Sequence, residues 1–458
     1  MEVSEIDQQA THSAQLTKAV QLAAHNKEDE AYAIFASLLG KNFDDANAMY
    51  GLARLYMQSE NYGIAYNLYR LCASFKKLGP GPWNGMGLCH AETWDLDAAA
   101  HLFKKALSFD ENDKHALGNL SLISLLKCEP EKALGFAALA LKQDPEFEEV
   151  IHHRTYAQLM LGRWKEGWAG HRKILGKVKT RAERFYENHG RLLPRWDGTP
   201  GQSVLVYGEQ GIGDEISFAS CIQDLRAVSK QVVMDCDHRL ESLFRRSFDG
   251  MHIHGTRFKN PMEWVDNYTF DARVAIGDLP SFFRNSDAEF PGEQYLSAEP
   301  MQISGKPRIG IAWTGGLPNT GSAKRSLSLE ALLPILEAVP ATWVSLQYKD
   351  CAAEVTAFQR KHGIEVIQPS EARGQDYSQT ASLVQGLDLV ITVTTAVVHL
   401  SGALGKEAWV LVPKNPRWFY QTTGDRTPWY KSVQYFREAK DWAAPIAQIV
   451  KLLKLRYS

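Results

Sequence analysis

Cysteine is scarce in this sequence. Only six of the 458 residues are cysteine, and no two of them form a Cys-x-x-Cys pair. This usage argues against a disulfide framework and against a cysteine zinc site, and it favours a reducing cytoplasm. No apolar run is long enough to span a bilayer, and the acidic, polar N-terminus differs from a signal or transit peptide. We therefore expect a cytoplasmic protein with no membrane span.

Net charge is also nearly absent. Lys and Arg number 51 against 53 Asp and Glu, which leaves a formal charge of −2. The chain as a whole therefore lacks the net positive charge that is typical of nucleic-acid-binding proteins, and we expect no nucleic-acid partner. The histidines form no His-Glu-x-x-His motif, so we expect neither a bound metal nor a cofactor. The length predicts about three domains.

A repeat of 34 residues occupies the first third of the chain. Small residues recur at this period in two registers, and mostly large residues recur in a third register four positions after the first. The first register is Ala31, Ala65, Ala99, Ala133 and Gly167; four residues later come Phe35, Tyr69, Phe103, Ala137 and His171; twelve residues earlier come Ala19, Ala53, Gly87, Ser121 and Thr155. This pattern resembles the tetratricopeptide repeat, in which small residues stand where two helices cross.

The resemblance predicts a polar tail over 1–13 and a helical array over 14–176. Stacked helix pairs form a superhelix with a concave face. That face holds a peptide or protein partner in one interpretation. In the other, the array is a spacer or a dimerisation element, and the sequence leaves the oligomeric state open.

The pattern then changes to alternating strands and helices. Residues 177–200 are charged and end in Leu-Pro-Arg-Trp-Asp-Gly-Thr-Pro-Gly, which predicts a linker. Short apolar runs alternate with helical stretches over 201–304 and again over 305–458, which predicts two Rossmann-like domains. Ligands of such sheets bind beyond the carboxyl ends of the strands, so the loops there are the candidate site.

The loop after the first strand runs from Gly208 through Gly211 and Gly213 to Asp214. Its glycine spacing reverses the order of a dinucleotide fingerprint. Asp214 falls near a helix start, where an aspartate is either a simple cap or, in a cleft, a general base. The nearby Asp235-Cys236-Asp237 spells a metal-binding Asp-x-Asp, although a strand end that caps the next helix is the favoured interpretation.

Two loops of the second domain suit phosphate. Thr314 and Gly315 follow its first strand, and Lys324 and Arg325 precede the next helix. Small residues with free N–H groups and two cations suit a diphosphate, or else form an ordinary solvated loop. The segment Thr394-Thr395 leads into a helix, and His399 lies one turn further on the same face.

Together these segments resemble the heptosyltransferase-like glycosyltransferases of the two-domain GT-B fold, particularly the bacterial versions fused behind tetratricopeptide repeats. The matching stretches keep their order from about residue 194 to the end: W-D-G at 196–198, G-E-Q-G-I-G-D-E at 208–215, I-A-W-T-G-G at 311–316, K-R-S at 324–326, S-L-Q at 345–347, V-x-T-A-x-x-H-L-x-G-A-L-G-K at 393–406 and P-W-Y at 428–430. The fold class implied is α plus α/β, a repeat array followed by a GT-B enzyme.

The resemblance also implies roles. Asp214 would be the catalytic base of an inverting, metal-independent transfer from a nucleotide sugar to a hydroxyl. The implied donor-binding residues are Thr314, Gly315, Lys324, Arg325, Gln347, Thr394, Thr395 and His399. The enzyme class is a hexosyl- or heptosyltransferase (EC 2.4).

Two departures shape the hypothesis. The family usually has Asp-Thr where this chain has Thr394-Thr395, and the half at 195–304, which normally contacts the acceptor, is short. We therefore expect a protein or peptide acceptor held by the repeats. The alternatives are a transferase for glycans of the lipopolysaccharide type and a non-catalytic adaptor with a degenerate enzyme domain.

Overall fold

The computed structural model describes residues 2–75, 78–178, 180–258, 262–316 and 325–457. By its internal contacts the chain divides into two compact units, residues 1–157 and 158–458. Within the described residues the first unit is entirely helical. Its helices are α1 (Glu2–Ala24), α2 (Glu28–Lys41), α3 (Ala46–Gln58), α4 (Tyr62–Cys72), α5 (Gly81–Glu92), α6 (Leu96–Leu107), α7 (Lys114–Leu126), α8 (Pro130–Gln143) and α9 (Glu148–Met160), which crosses the unit boundary.

These helices form tetratricopeptide-like pairs, as the period predicts. The three registers of small and large residues are buried wherever they fall in this unit. The crossings are close, since a Cβ on Gly51 would lie 2.4 Å from the Phe35 ring and one on Gly87 would lie 2.5 Å from Phe103. Aspartates end the turns between pairs. Asp45, for example, accepts hydrogen bonds from two backbone amides at the start of α3.

The second unit begins with one further helix and then alternates strands and helices. Its helices are α10 (Trp164–Lys173), α11 (Ile212–Phe218), α12 (Ile222–Val228), α13 (Glu241–Ser247), α14 (Pro280–Phe283), α15 (Leu333–Leu336), α16 (Ala352–His362), α17 (Tyr377–Gln385), α18 (Ala396–Ala403) and α19 (Ala443–Tyr457). Its strands are β1 (Glu187–Asn188), β2 (Arg191–Leu192), β3 (Ser203–Tyr207), β4 (Gln231–Asp235), β5 (His252–His254), β6 (Ala272–Ala275), β7 (Arg308–Ala312), β8 (Thr342–Ser345), β9 (Val366–Ile367), β10 (Leu389–Val393), β11 (Ala408–Val412), β12 (Arg426–Thr427) and β13 (Tyr430–Arg437).

Two mainly parallel sheets organise this unit. One has the order β5-β4-β3-β6, and the other has the order β12-β13-β11-β10-β7-β8-β9, in which β12 alone is antiparallel to its neighbour. The central strands β3, β10 and β11 are buried along their whole length. Continuous apolar runs are the expected signature of strands covered on both faces. The predicted mixed α/β region with parallel sheets is confirmed.

The structure differs from the predicted boundaries in three places. Residues 2–13 belong to α1, because that polar stretch contains no glycine or proline to stop a helix. The predicted array over 14–176 extends past the unit boundary, since α10 belongs to the second unit. The predicted linker at 177–200 is not a free connector, because Tyr186, Leu193 and Trp196 are buried and the first two join the core around β3.

Candidate functional site

The candidate site lies where the carboxyl ends of β3 and β10 pass into helices. α11 follows β3, α18 follows β10, and the two helices pack together at their starts. A Cβ on Gly213 would lie 3.1 Å from the His399 ring and 3.4 Å from Cα of Ala396. Glycine at this position therefore lets the two helices approach closely. The first and last predicted segments of the site thus lie side by side.

Asp214 stands in the first turn of α11 and remains partly accessible to solvent. Its Oδ2 accepts a hydrogen bond of 3.1 Å from the amide of Gly211, so it also caps the helix. Desolvation raises the pKa of Asp214, while the nearby cation of Arg417 acts in the opposite direction. A carboxylate that is capped but accessible, with a raised pKa, has the character of a general base.

Arg417 is the functional candidate that sequence reasoning missed. It lies in the loop after β11 and is exposed, and its side chain makes no hydrogen bond or ion pair with any residue in the described ranges. Its positive charge nevertheless acts to lower the pKa of Asp214, of His399 and of Arg325. The signal was available, since β11 is parallel to β10 and their carboxyl ends share one edge of the sheet.

Arg325 is half-buried and close to Arg417. Burial, followed by repulsion from Arg417, lowers the pKa of Arg325. Two cations near each other favour an anion between them. Its predicted companion Lys324 lies outside the described residues.

Thr314, Gly315 and Gln347 form one small network at the ends of β7 and β8. The Gln347 side-chain amide donates to the Thr314 hydroxyl at 2.6 Å, and the Gly315 amide donates to Ser326 at 3.0 Å. A Cβ on Gly315 would lie 3.0 Å from the carbonyl oxygen of Thr394, which places this network against the end of β10. Gln347 is buried, so its first role is to hold Thr314 in place.

Thr394 and Thr395 behave differently from each other. Thr395 is the N-cap of α18, and its hydroxyl accepts from the amide of Val397 at 3.0 Å. Thr394 is only 2% exposed, and its hydroxyl finds no hydrogen-bond partner among the described residues. A buried hydroxyl without a partner is costly and invites a ligand group.

His399 is buried between Phe419 and Tyr430. Its ring centroid lies 4.3 Å from that of Phe419 in an edge-on arrangement, and its Nδ1 lies 3.4 Å from the Tyr430 hydroxyl. Desolvation, together with the charge of Arg417, lowers the pKa of His399 to about 3. His399 is therefore neutral at physiological pH and packs at the base of the site.

Several acidic residues near the site already form ion pairs or hydrogen bonds with other side chains of the fold. Asp235 accepts from Arg184 and Tyr186 at 2.8 and 2.7 Å, and Asp237 pairs with Arg239 at 2.8 Å. These contacts agree with the structural interpretation of Asp235-Cys236-Asp237. Glu215 is buried against Arg257, in space that a Cβ on Gly208 would occupy. The glycines of the 208–213 loop thus serve close packing.

Comparisons with known proteins place the chain only broadly. No protein-family model matches it. Protein FlbA of Caulobacter vibrioides is 27% identical over 384 residues, which cover 77% of this chain and 63% of that protein. The chain therefore spans less than two thirds of this relative's length. Because neither unit alone makes up 77% of the chain, the similarity includes residues of both units.

Solved tetratricopeptide proteins are similar to about a third of the chain. TTC0263, a thermophilic tetratricopeptide protein of Thermus thermophilus, is 21% identical with a TM-score of 0.34, and covers 36% of this chain and 91% of that chain. YrrB, described as a tetratricopeptide protein with an unusual peptide-binding site, is 18% identical with a TM-score of 0.28, and covers 35% and 82%. The helix pairs described above define the repeat fold without these scores. Of the described helices, none has the length and apolar character needed to cross a membrane.

Proposed function

We propose that the second unit is an inverting glycosyltransferase of the GT-B type that uses a nucleotide sugar as donor. The observation that carries this proposal is the position of Arg417, whose charge acts on Asp214 in α11, on His399 in α18 and on Arg325, where the starts of α11 and α18 pack together. Two Rossmann-like sheets whose loops meet at one place also support this fold type.

In the proposed reaction, Asp214 takes the proton of an acceptor hydroxyl. The acceptor oxygen forms a bond to the anomeric carbon as the bond from that carbon to the diphosphate oxygen breaks. The nucleoside diphosphate leaves with the bonding electrons, and the configuration of the sugar inverts. The raised pKa of Asp214 favours this role, because a more basic carboxylate accepts the proton more readily.

The leaving diphosphate needs positive charge. Arg417 and Arg325 repel each other in the free protein, and an anion between them would relieve that repulsion. The partnerless hydroxyl of Thr394 would gain an acceptor from the same ligand. The proposed donor pocket also includes Thr314, which Gln347 holds in place, and the amide of Gly315. Thr395 caps the start of α18 in this pocket, and His399 packs beneath that helix start against Tyr430.

The decisive experiment compares Asp214→Asn with Asp376→Asn. Asp376 also caps a helix in this unit, since it accepts from the amide of Ser378 at 2.9 Å at the start of α17, so it controls for loss of a cap. Purified protein is incubated with ADP-, UDP-, GDP- and CMP-linked sugars, and release of the nucleotide is followed. We expect Asp214→Asn to lose at least ~100-fold in turnover, as removal of a general base does, and Asp376→Asn to keep it. Equal turnover by wild type and Asp214→Asn would remove Asp214 from the mechanism.

The acceptor we propose is a protein or peptide recognised by the tetratricopeptide-like array. Helix pairs of this kind form extended binding faces, and the described part of the array exposes large apolar side chains such as Tyr32, Leu71 and Phe109. Removal of residues 1–147 leaves α9 and α10 intact. We expect this truncation to retain donor hydrolysis and to lose transfer of labelled sugar to protein. Unchanged transfer would mean that the array is a spacer, and transfer to isolated glycans would favour a glycan acceptor.

A non-catalytic adaptor is the second candidate. Thr394, where the resembling enzymes have an acid, is the observation that favours it. This hypothesis predicts that the repeats bind a partner and that the protein turns over none of the four donor types.

A further inference from the structure

We infer that α10 positions both loops that carry the candidate site, with Trp168 and Arg181 as the positioning residues. The role of the site rests on the proposed function, but the contacts that α10 makes with the two loops do not depend on the reaction. α10 was predicted as the last helix of the repeat array, yet it lies within the second unit.

Trp168 contacts both sides of the site at once. Its side chain is fully buried, and its indole N–H donates to the carbonyl of Arg284 at 2.7 Å. Its ring centroid lies 5.6 Å from that of Trp418 and 6.3 Å from that of Phe218. Trp418 directly follows Arg417, and Phe218 is the last residue of the helix that begins beside Asp214.

Arg181 holds the loop that leads into α11 and contains Asp214's neighbours Glu209 and Gly211. Its guanidinium lies 2.8 Å from Glu209 and 2.9 Å from Asp278, and it also donates to the carbonyl of His171 in α10. Glu209 belongs to the loop that leads into α11 and is as buried as Arg181. Removal of Arg181 would leave two buried carboxylates facing each other, which is strongly unfavourable.

The loop after Arg417 has a further attachment near α10. Gln421 has a φ of +53° and a ψ of −177°, a backbone region that costs a non-glycine residue energy. Arg437 holds this loop by donating to the carbonyls of Tyr420 and Thr423 at 2.6 and 2.9 Å. The Gln421 side chain lies against Gly162, in the turn before α10, where an added Cβ would be 3.1 Å from its amide nitrogen.

Because of these contacts, a shift of α10 would disturb the loop of Asp214 through Arg181 and Phe218. It would also disturb the loop of Arg417 through Trp418. The two catalytic candidates come from different sheets, and α10 touches the supports of both.

The test compares two tryptophans of the same helix in the full-length chain. Trp164 is buried like Trp168 and stacks on it at 5.8 Å, but its indole donates to Asp287 and its ring packs on Phe290. Hydrogen exchange is measured on Trp168→Leu, the milder Trp168→Phe, and Trp164→Leu. We expect both Trp168 variants to increase exchange in peptides covering 208–218 and 413–424, the Leu variant more, and Trp164→Leu to increase it mainly around 285–290. The same exchange pattern in both Leu variants, or unchanged exchange in the two loops, would overturn the inference.

Arg181→Lys and Arg181→Met supply the second comparison. We expect Met to expose the 208–218 peptide to exchange and Lys, which keeps the charge, to restore part of the protection. Equal protection in all three proteins would overturn the role of Arg181.

Calorimetric titration with inorganic pyrophosphate links this arrangement to the site. We expect Trp168→Leu to weaken pyrophosphate binding about tenfold or more and Trp164→Leu to weaken it less than about twofold. A wild type that binds no pyrophosphate would refute the proposed diphosphate site, whereas hydrogen exchange would still decide the role of α10.

Discussion

The partnerless hydroxyl of Thr394 leads to a prediction in which stability and binding change in opposite directions. Thr394→Val replaces that hydroxyl with a methyl group of nearly the same size. The side chain is 2% exposed at the end of β10, and its oxygen has no partner among the described residues. In the free protein the substitution therefore removes a desolvation cost and breaks no hydrogen bond of the described structure.

The magnitude follows from the cost of a buried, unsatisfied hydroxyl, about 1–3 kcal/mol. Part of that cost is already relieved if the hydroxyl rotates toward a nearby oxygen, so we expect a gain of ~1–2 kcal/mol in the free energy of unfolding of the second unit. If a phosphate oxygen of the ligand is the natural partner, the variant loses a hydrogen bond to a charged group. That loss corresponds to a decrease of about tenfold or more in affinity.

The assay is urea unfolding followed by tryptophan fluorescence, together with pyrophosphate titration. Of the 12 tryptophans only Trp83 and Trp94 precede residue 158, so fluorescence reports mainly on the second unit. Ser401→Ala is the matched control, because the Ser401 hydroxyl is also buried without a partner among the described residues but lies further along α18. We expect Ser401→Ala to raise stability and leave binding unchanged. A less stable Thr394→Val protein, or one that binds pyrophosphate as wild type does, would refute the reasoning.

Two further predictions concern charge. Because Arg417 opposes the desolvation that raises the pKa of Asp214, Arg417→Gln should raise that pKa further and move the acid limb of kcat/KM to higher pH, an effect that a purely structural role would not produce. An unmoved limb would contradict it. The pKa of Asp388 is lowered to about 2 by hydrogen bonds from Arg308, so this pair stabilises the fold above about pH 4, and that stabilisation is lost as the pH falls toward 2. Asp388→Asn should therefore lower the free energy of unfolding by ~1–2 kcal/mol at pH 7 and by little near pH 2, and a pH-independent difference in urea unfolding would contradict this.

The sequence predicts the framework of both units well because the relevant signals are local. A period of 34 residues reports where helices cross, and the structure buries those positions. Strands covered on both faces are continuous apolar runs, and β3, β10 and β11 are such runs within the two predicted Rossmann-like regions. By contrast β13 carries no such run, since Tyr430–Arg437 mixes buried residues with polar residues that are exposed or partly exposed.

The charged segment at 177–200 shows a different limit. Its many charged residues suggest a solvated linker, because charge in a sequence is usually exposed. In the structure Arg181 and Arg184 each pair with a buried carboxylate, and Arg195 pairs with the mostly covered Glu183. Those partners lie up to 97 residues away along the chain, as between Arg181 and Asp278. No local pattern encodes a partner at that distance, so the sequence alone does not show that residues of this segment are buried and paired.

The same limit explains why the candidate site was found only in part. Asp214 and the Thr394–His399 segment were predicted because each lies at a strand-to-helix junction that the sequence itself displays. Arg417 lies in a short polar loop that resembles any surface turn, and its importance arises from the parallel pairing of β11 with β10. A search of every loop at the carboxyl edge of the sheet, rather than of glycine-rich loops alone, would have found the cation that faces the proposed base.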